Sequence, residues 1–229
     1  MILVADQAKQ LGFTDLGVTG GEPFMSNTMP ENVTALAAIL PVVVLSNGTL
    51  FNKRRLDELS SLAGLDASIQ ISLDRPEPDA NDALRGPQNF AKVIDAIPRL
   101  VARGIAVRLA TTVDPANPAD DDERERLCAL HRSLGIPDEH HVVRPVVRRG
   151  RARTNEMGVD AAVGDLPPEL TITADGAFWS PFGPTVREGR LDTDLLITRT
   201  TDPLSVPAAA LLRLVAGRPP GSDAQLGIR

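Results

Sequence analysis

The chain has 229 residues, of which 42% are hydrophobic and 24% charged, as is ordinary for a globular domain with a sizeable core. Its formal net charge of −6 argues against nucleic acid as a main partner, because phosphate binding requires a basic face. No apolar run reaches the roughly 18 residues of a membrane-spanning helix, and no signal-peptide pattern opens the chain. We therefore expect a cytoplasmic protein without a membrane partner. The single cysteine, Cys128, excludes an internal disulfide.

Short β-branched apolar runs alternate along the chain with longer amphipathic stretches. This alternation predicts repeated strand–helix units around a parallel sheet. Strands are predicted over residues 16–19, 41–46, 67–73, 105–113 and 141–147. Helices are predicted over residues 31–40, 53–65, 90–103 and 120–134. The second strand is almost wholly apolar, so we expect it to be covered on both faces.

The pattern changes after Arg153, where Gly, Pro and Asp become frequent. Two short strands are predicted over residues 169–173 and 177–180, with Asp175-Gly176 as the hairpin signal. A last helix is predicted over residues 208–215. The chain is therefore predicted to form a main α/β domain of residues 1–153 and a small hairpin extension of residues 154–229.

Polar or glycine residues follow each predicted strand of the main domain. Because the carboxyl ends of parallel strands meet at one edge of a sheet, we expect a functional site there. The candidate residues are Gly20 to Pro23, Ser46-Asn47-Gly48, Ser72, Asp74, Thr111-Thr112 and Arg144-Pro145.

The segment Thr19-Gly20-Gly21-Glu22-Pro23 is the most informative of these. Two glycines at a strand end let a ligand approach the backbone closely, and Pro23 stiffens the turn. Backbone carbonyls together with the Glu22 carboxylate would suit a ligand ammonium group. The alternative is a tight turn with Glu22 in solvent.

The order and spacing of further strand-end segments resemble the radical S-adenosylmethionine (SAM) superfamily over residues 15–145. These segments are Ser46-Asn47-Gly48-Thr49, Gln70-Ile71-Ser72-Leu73-Asp74 and Asn81-Asp82-Ala83-Leu84-Arg85-Gly86. The resemblance is strongest to the branch that modifies peptides and carries a C-terminal SPASM or twitch extension. It implies an incomplete (βα)-type barrel.

The same resemblance implies a set of S-adenosylmethionine-binding residues. Gly20, Gly21 and Glu22, stiffened by Pro23, would hold the amino group of its methionine part. Asn47 and Ser72 would hold the ribose and carboxylate, with Asp74 beside them, and Arg144 would flank the adenine. Arg85 is either a loop element of the family pattern or a structural ion pair. No catalytic residue is assigned.

The implied chemistry is cleavage of S-adenosylmethionine at a [4Fe–4S] cluster, followed by hydrogen abstraction from a peptide or small metabolite, with an external electron donor. The cluster of the family is held by a CxxxCxxC loop, which this sequence lacks, so no metal ligand is assigned. Two interpretations stay open. Either the chain begins inside a longer protein, at the helix of Met1 to Ala8, or it is a degenerate, non-catalytic peptide- or partner-binding module.

The remaining candidates have weaker signals. Ser180 and Phe182 stand where cysteines of a SPASM or twitch extension would be expected, so we expect no auxiliary cluster there and a local core around Trp179. The arginines of residues 144–153 would hold an acidic peptide or the cofactor carboxylate, or lie in a solvated loop. Cys128 is expected to be a buried small hydrophobe. His131 is expected on the surface of its helix, and His140 and His141 on opposite faces of a strand.

Overall fold

The structure is a computed structural model, and it describes residues 1–114, 121–148, 151–154, 157–160, 168–179, 185–187, 190–191, 193 and 195–216. The chain divides into two compact units, one of residues 1–112 and 119–143 and one of residues 113–118 and 144–229. The predicted domain boundary at residue 153 stays a prediction. No helix in the described ranges is long and apolar enough to cross a membrane.

The first unit contains most of a five-stranded parallel sheet, which confirms the predicted α/β class. Its strands are β1 (Leu16–Val18), β2 (Val42–Ser46), β3 (Ala67–Ser72), β4 (Ala106–Val113) and β5 (His141–Pro145), and they lie side by side in chain order. The helices are α1 (Ile2–Gln10), α2 (Met29–Ala37), α3 (Lys53–Glu58), α4 (Pro78–Arg85), α5 (Asn89–Val101) and α6 (Asp121–Ser133). Short 3₁₀ helices span Pro23–Met25, Leu59–Leu62 and Asp138–His140.

One face of the sheet packs against the helices and forms the core of the first unit. Alternate strand residues point to this face, because the side chains of a strand alternate between its two sides. The buried strand residues include Val44, Ile69, Ile71 and Leu109, and the helices contribute Val33, Leu56, Val93, Ile97 and Leu100. Burial of this apolar surface is the main term that stabilises the unit.

The opposite face of the sheet is more polar than the apolar β2 run predicts. Val43 and Leu45 are only half-buried, so the expectation that β2 is covered on both faces is wrong. On β3 this face carries Ser68, Gln70 and Ser72, and in the β3–β4 register Gln70 lies beside Arg108. A sheet covered by helices on both sides would be apolar on both faces, so this face is suited to contact polar groups.

The helix over residues 53–65 is wrong as a single element, because α3 ends at Glu58 and a 3₁₀ turn follows. Helix α4 has no counterpart among the predicted helices. It is short, starts at a proline and contains few apolar residues, so the sequence gives little signal for a helix there.

The second unit contains a three-stranded antiparallel sheet and a helix. The sheet order is β10 (Leu196–Thr198), β7 (Gly176–Trp179) and β6 (Leu170–Thr173), and the short strands β8 (Val186–Arg187) and β9 (Arg190–Leu191) form a separate pair. The helices are α7 (Arg151–Thr154) and α8 (Ser205–Ala216). The predicted hairpin is confirmed, and so is the local core, in which Trp179 packs with Phe178, Leu195 and Leu211.

The hairpin turn is shifted by one residue from its predicted place. Thr173 pairs with Gly176, so Ala174 and Asp175 form the turn. A Cβ atom on Gly176 would lie 2.7 Å from the carbonyl oxygen of Thr198. Gly176 is therefore required by the close approach of β10 rather than by the turn. Ser180 and Phe182 lie outside the described residues, and the expectation about an auxiliary cluster stays a prediction.

Candidate functional site

The loop after β1 carries two glycines whose backbone is open to the outside. Gly20 and Gly21 have φ angles of +103° and +49°, in a region where a side chain costs about 1–2 kcal/mol. A Cβ atom built on either glycine meets no atom within 4 Å among the described residues. Both glycines are exposed, so a ligand can reach their peptide groups without displacing protein atoms.

The side chain of Glu22 joins the end of β1 to the end of β2. Its Oε1 accepts hydrogen bonds from the Phe24 N–H (3.1 Å) and the Ser46 hydroxyl (3.0 Å). Its Oε2 accepts from the Asn47 N–H at 2.7 Å. Pro23 is the first residue of the 3₁₀ turn that follows and is itself buried. This geometry excludes the alternative of a solvated Glu22, because the residue is only 9% exposed.

The charge of Glu22 is not balanced within the described part of the chain. All of its donors there are neutral groups, and no Arg, Lys or His forms an ion pair with it. Burying a carboxylate without a counter-charge is costly even when it is hydrogen-bonded. A cationic group bound at the neighbouring glycines would offset that cost.

The carboxylate of Asp74 is also buried, but its charge is neutralised. Its Oδ1 accepts from the Thr112 N–H (2.7 Å) and the Thr112 hydroxyl (2.8 Å), and its Oδ2 pairs with the Arg85 Nε. Arg85 also donates to Thr112 Oγ1 at 3.0 Å. The ion-pair interpretation of Arg85 is thus confirmed, and these bonds of Asp74 join β3 to β4 and α4. A cofactor contact by Asp74 stays a prediction.

Gly48 allows α5 to approach the loop after β2. Its φ is +77°, and a Cβ atom would lie 2.7 Å from Val93 Cγ2 and 2.8 Å from Ile71 Cγ2. Any side chain here would push α5 away from the sheet. The close packing brings Asn89, at the start of α5, within hydrogen-bond distance of the Asn47 carbonyl (3.1 Å). Asn89 has no sequence signal, because asparagines at helix starts are common for capping alone.

The other predicted cofactor residues lie at strand ends as expected, but their roles stay predictions. Asn47 is exposed, and its Oδ1 accepts from the N–H (2.9 Å) and hydroxyl (2.7 Å) of Thr49, which fixes the turn. Ser72 is half-buried at the last position of β3, and within the described ranges its hydroxyl makes no hydrogen bond. Arg144 lies on β5 in the second unit and is half-buried.

His131 is buried, and the expectation of a surface histidine is wrong. It is 1% exposed, and its ring packs edge-on against His141 at a centroid distance of 4.1 Å. The physical reason is helical spacing: Leu127 and His131 occupy the same face of α6, Leu134 follows the helix at the next position of that spacing, and all three are buried. Burial, reinforced by the neighbouring His141 charge, lowers the pKa of His131 to about 3.

His141 has a defined role at the start of β5. The Thr111 hydroxyl donates to the Leu73 carbonyl at 2.8 Å, so its 2.9 Å contact with His141 Nε2 must use the ring N–H as donor. Burial lowers the pKa of His141 as well. His140 ends a 3₁₀ turn instead of lying in the strand, so the premise of opposite strand faces is wrong.

The basic segment after β5 is partly engaged by its own loop. Arg148 donates to the Gly158 carbonyl at 2.7 Å and lies 3.7 Å from Asp160. Arg149 lies outside the described residues. Cys128 is only partly buried on α6, so the expectation of a fully buried cysteine is wrong.

The residues of this chain do not fit a [4Fe–4S] cluster. Such clusters are held mainly by several cysteine thiolates, and the chain has one cysteine. In the ranges that the structure describes, no group of three or more His, Cys, Asp or Glu side chains could hold a metal ion. The open glycines beside the uncompensated Glu22 charge do fit the ammonium end of S-adenosylmethionine.

Comparisons with known proteins show the family of the chain. The family model of the Radical SAM superfamily matches residues 2–144. GTP 3′,8-cyclase of Synechococcus sp. (strain CC9605) is 31% identical over 157 residues, covering 59% of this chain and 45% of the relative. Sporulation killing factor maturation protein SkfB of Bacillus subtilis (strain 168) is 29% identical over 130 residues, covering 56% of this chain and 31% of that protein. The chain spans less than half the length of these relatives.

Solved structures of SuiB from Streptococcus suis share the fold. SuiB bound to S-adenosylmethionine matches with a TM-score of 0.56 and 16% identity, over 72% of this chain and 36% of SuiB. SuiB bound to the precursor peptide SuiA matches with a TM-score of 0.53 and 15% identity, over 70% and 34%. The five-stranded sheet with its helices is thus a partial (βα) barrel, as predicted.

Proposed function

Because this chain belongs to the radical SAM superfamily, we propose that the loops after β1, β2 and β3 bind S-adenosylmethionine. When bound, this molecule supplies a deoxyadenosyl radical precursor, and the residues of the chain position it and keep water away from it. Gly20 and Gly21 present open backbone to its amino group. Asn47 and Ser72 at the neighbouring strand ends would take its ribose and carboxylate, and Arg144 its adenine.

The observation that carries this proposal is the buried, uncompensated charge of Glu22. The ligand brings an ammonium and a sulfonium group, and an opposite charge is worth more at a partly desolvated site than in water. The three neutral donors to Glu22 hold its carboxylate in place before the ligand arrives, so little reorganisation is needed on binding. Asp74 does not offer an unpaired carboxylate to the ligand, because Arg85 already neutralises its charge.

We propose a peptide as the substrate class, acted on by hydrogen abstraction in the cytoplasm with an external electron donor. SkfB is named as a maturation protein, and SuiB was solved with a precursor peptide, which supports a peptide. The half-buried polar residues of the sheet face, Ser68, Ser72 and Arg108, would contact it. The cyclase relatives point instead to a nucleotide, so both GTP and a candidate precursor peptide belong in the binding test.

The second candidate is a non-catalytic peptide- or partner-binding module of the same fold. The single cysteine favours it, because this chain alone cannot ligate the cluster that radical chemistry in the family requires. The DNA sequence upstream of the Met1 codon distinguishes the two candidates. An in-frame CxxxCxxC upstream of the Met1 codon supports the enzyme, and a genuine start at that codon supports the module.

The binding proposal is tested by titrating the purified chain with S-adenosylmethionine in a calorimeter. Gly21→Ala introduces a methyl group at the open loop. It should weaken binding by roughly tenfold or more, as expected when at least one hydrogen bond between the loop and the ligand is lost. Gly64→Ala is the matched control: its φ is +76°, its added Cβ also meets nothing within 4 Å, and it lies before β3 at the other end of the strands. The control should bind like the wild type.

Two outcomes contradict the proposal. The first is no heat of binding with the wild-type chain at any accessible concentration. The second is equal affinity of the Gly21→Ala and Gly64→Ala variants, which would place the ligand elsewhere.

A further inference from the structure

Two buried asparagines connect the ends of β2 and β3. Asn81 on α4 is 0% exposed and Asn89 on α5 is 3% exposed. Asn81 Oδ1 accepts from the Asp74 N–H at 3.0 Å, and Asn81 Nδ2 donates to Asn89 Oδ1 at 3.0 Å. Asn89 Nδ2 then donates to the Asn47 carbonyl at 3.1 Å. We call this Asp74–Asn81–Asn89–Asn47 chain of hydrogen bonds the amide relay.

The direction of the amide relay is fixed by its two ends. The Asp74 N–H can only donate, and the Asn47 carbonyl can only accept. Each asparagine between them must therefore accept on one side and donate on the other, which sets both amide orientations. An aspartate or an aliphatic residue at either position would break the sequence of bonds, so the two amide side chains are specifically required.

Both residues at the ends of the relay are anchored by further hydrogen bonds. The Asn47 N–H donates to Glu22 Oε2 at 2.7 Å, while the Asp74 carboxylate is held by Arg85 and Thr112. The relay thus completes a continuous set of bonds from the loop after β1 to the end of β4. Removing Asn89 would free the Asn47 turn from α5, and removing either asparagine would leave buried polar groups without partners.

The local backbone is shaped to place Asn89. Asp82 accepts from the N–H groups of Gln88 (2.6 Å) and Phe90 (2.8 Å) on either side of it. Gln88 has a φ of +62°, which is uncommon for a residue other than glycine. The chain therefore adopts a strained conformation immediately before Asn89, held in place by the Asp82 carboxylate.

We propose that Asn81 and Asn89 are positioning residues that set the separation between the loops after β2 and β3 and thereby the affinity for S-adenosylmethionine. This inference rests on the proposed function. Neither residue touches the ligand, because both are buried below the loops. Both act through the Asn47 and Asp74 backbone, whose strands carry the groups assigned to the ribose and carboxylate.

The test compares Asn89→Ala with Ile97→Val on the same helix. Ile97 is fully buried and is not part of the relay. Its variant therefore lowers stability modestly without changing any contact of the loops, which makes it the control for a general loss of stability. Affinity for S-adenosylmethionine is measured at a temperature at which both variants are fully folded by circular dichroism. Asn89→Ala should weaken binding roughly tenfold, because it removes the hydrogen bond that holds the Asn47 turn in place. Ile97→Val should leave the affinity within about twofold of wild type, because it changes only packing.

A second measurement does not depend on any variant. In the wild-type chain, S-adenosylmethionine should slow hydrogen exchange of the Asp74 N–H and of the Asn81 and Asn89 side-chain amides, because binding tightens both ends of the relay. Unchanged exchange at these groups in a chain that binds the ligand overturns the inference.

The remaining outcomes are distinguishable from one another. Equal affinity of Asn89→Ala and Ile97→Val overturns the positioning role and leaves the proposed function intact. Absence of binding by the wild-type chain removes the proposed function and this inference together. Isosteric Asn89→Asp keeps the acceptor for Asn81 but lacks the donor for Asn47, and it should show the same loss of affinity as Asn89→Ala.

Discussion

Glu22 and Asp74 are two buried carboxylates at the same edge of the sheet with opposite electrostatic situations. Asp74 is paired with Arg85, whereas the bonds of Glu22 in the described structure all come from neutral donors. The paired carboxylate is complete without a ligand and ties β3 to β4. The unpaired one keeps a charge that the folded chain does not neutralise, which is the expected sign of a site that binds a cation.

This difference in charge pairing indicates that Asp74 serves stability and Glu22 serves binding, although both acids lie among the same predicted site residues. Removing either partner of a neutralised pair lowers the free energy of unfolding strongly, because the other partner is left as a buried, unpaired charge. Removing an uncompensated charge also removes its desolvation penalty, so the net change in stability is small. Substitution of the two acids should therefore give opposite results for stability and for affinity.

The largest expected effect on stability is that of Asp74→Asn. The substitution leaves Arg85 without its counter-charge and weakens the bonds to Thr112, so the free energy of unfolding should fall by about 3 kcal/mol. Urea denaturation followed by circular dichroism measures it. The control is Asp138→Asn, which breaks an exposed ion pair with Arg132 and should cost much less stability, because solvent screens exposed charges. Equal losses of unfolding free energy in the two variants would show that the buried ion pair of Asp74 does not stabilise the fold.

The second prediction concerns the contact between α5 and the loop after β2. Gly48→Ala places a Cβ atom 2.7 Å from Val93 Cγ2 and should destabilise the fold by about 2–3 kcal/mol, with a parallel loss of the Asn89 bond. Gly64→Ala has almost the same φ but no crowding, so about 1 kcal/mol is expected from backbone strain alone. Thermal or urea unfolding of both variants gives the difference, and identical values would contradict the close packing.

The third prediction is acid sensitivity from His131. Its folded pKa of about 3 lies below the ordinary value of 6.5, so the unfolded chain takes up the proton first. Stability from this residue is fully present above about pH 6.5 and is lost as the pH falls toward about 3. Between about pH 7 and pH 5 the loss should be about 2 kcal/mol. His131→Phe should remove this part of the pH dependence, and an unchanged slope in the variant would contradict burial of a neutral ring.

The smallest expected change in stability is that of Glu22→Gln. One oxygen acceptor for the Asn47 N–H is lost, but a buried charge is removed, so the free energy of unfolding should change by less than about 1 kcal/mol. The same urea experiment measures it beside Asp74→Asn. A loss of unfolding free energy as large as that of Asp74→Asn would mean that Glu22 only stabilises the fold and does not serve binding.

The sheet could be predicted from the sequence because its strands are apolar runs separated by helices of strong period, such as α5. Residues 20–23 could be singled out because two glycines at a strand end let a ligand approach the backbone, and because the strand-end segments that follow resemble the radical SAM superfamily. Residue type alone predicts a surface position for His131, although its spacing from Leu127 and Leu134 indicates the buried face. The partners of Glu22 after β2 and of Asp74 on β4 could not be predicted, since hydrogen bonds between residues 24 to 38 positions apart depend on packing.

The most direct measurement varies the ligand and Glu22 together. S-adenosylmethionine and an analogue in which hydrogen replaces the α-amino group are titrated into the wild-type chain and into Glu22→Gln. If the Glu22 charge holds the ammonium group, loss of the amino group should weaken binding to the wild type by roughly tenfold or more and change binding to the variant much less, as coupled groups in a double-mutant cycle do. The same loss of affinity in both proteins would contradict the assignment of this loop as the site of the amino group.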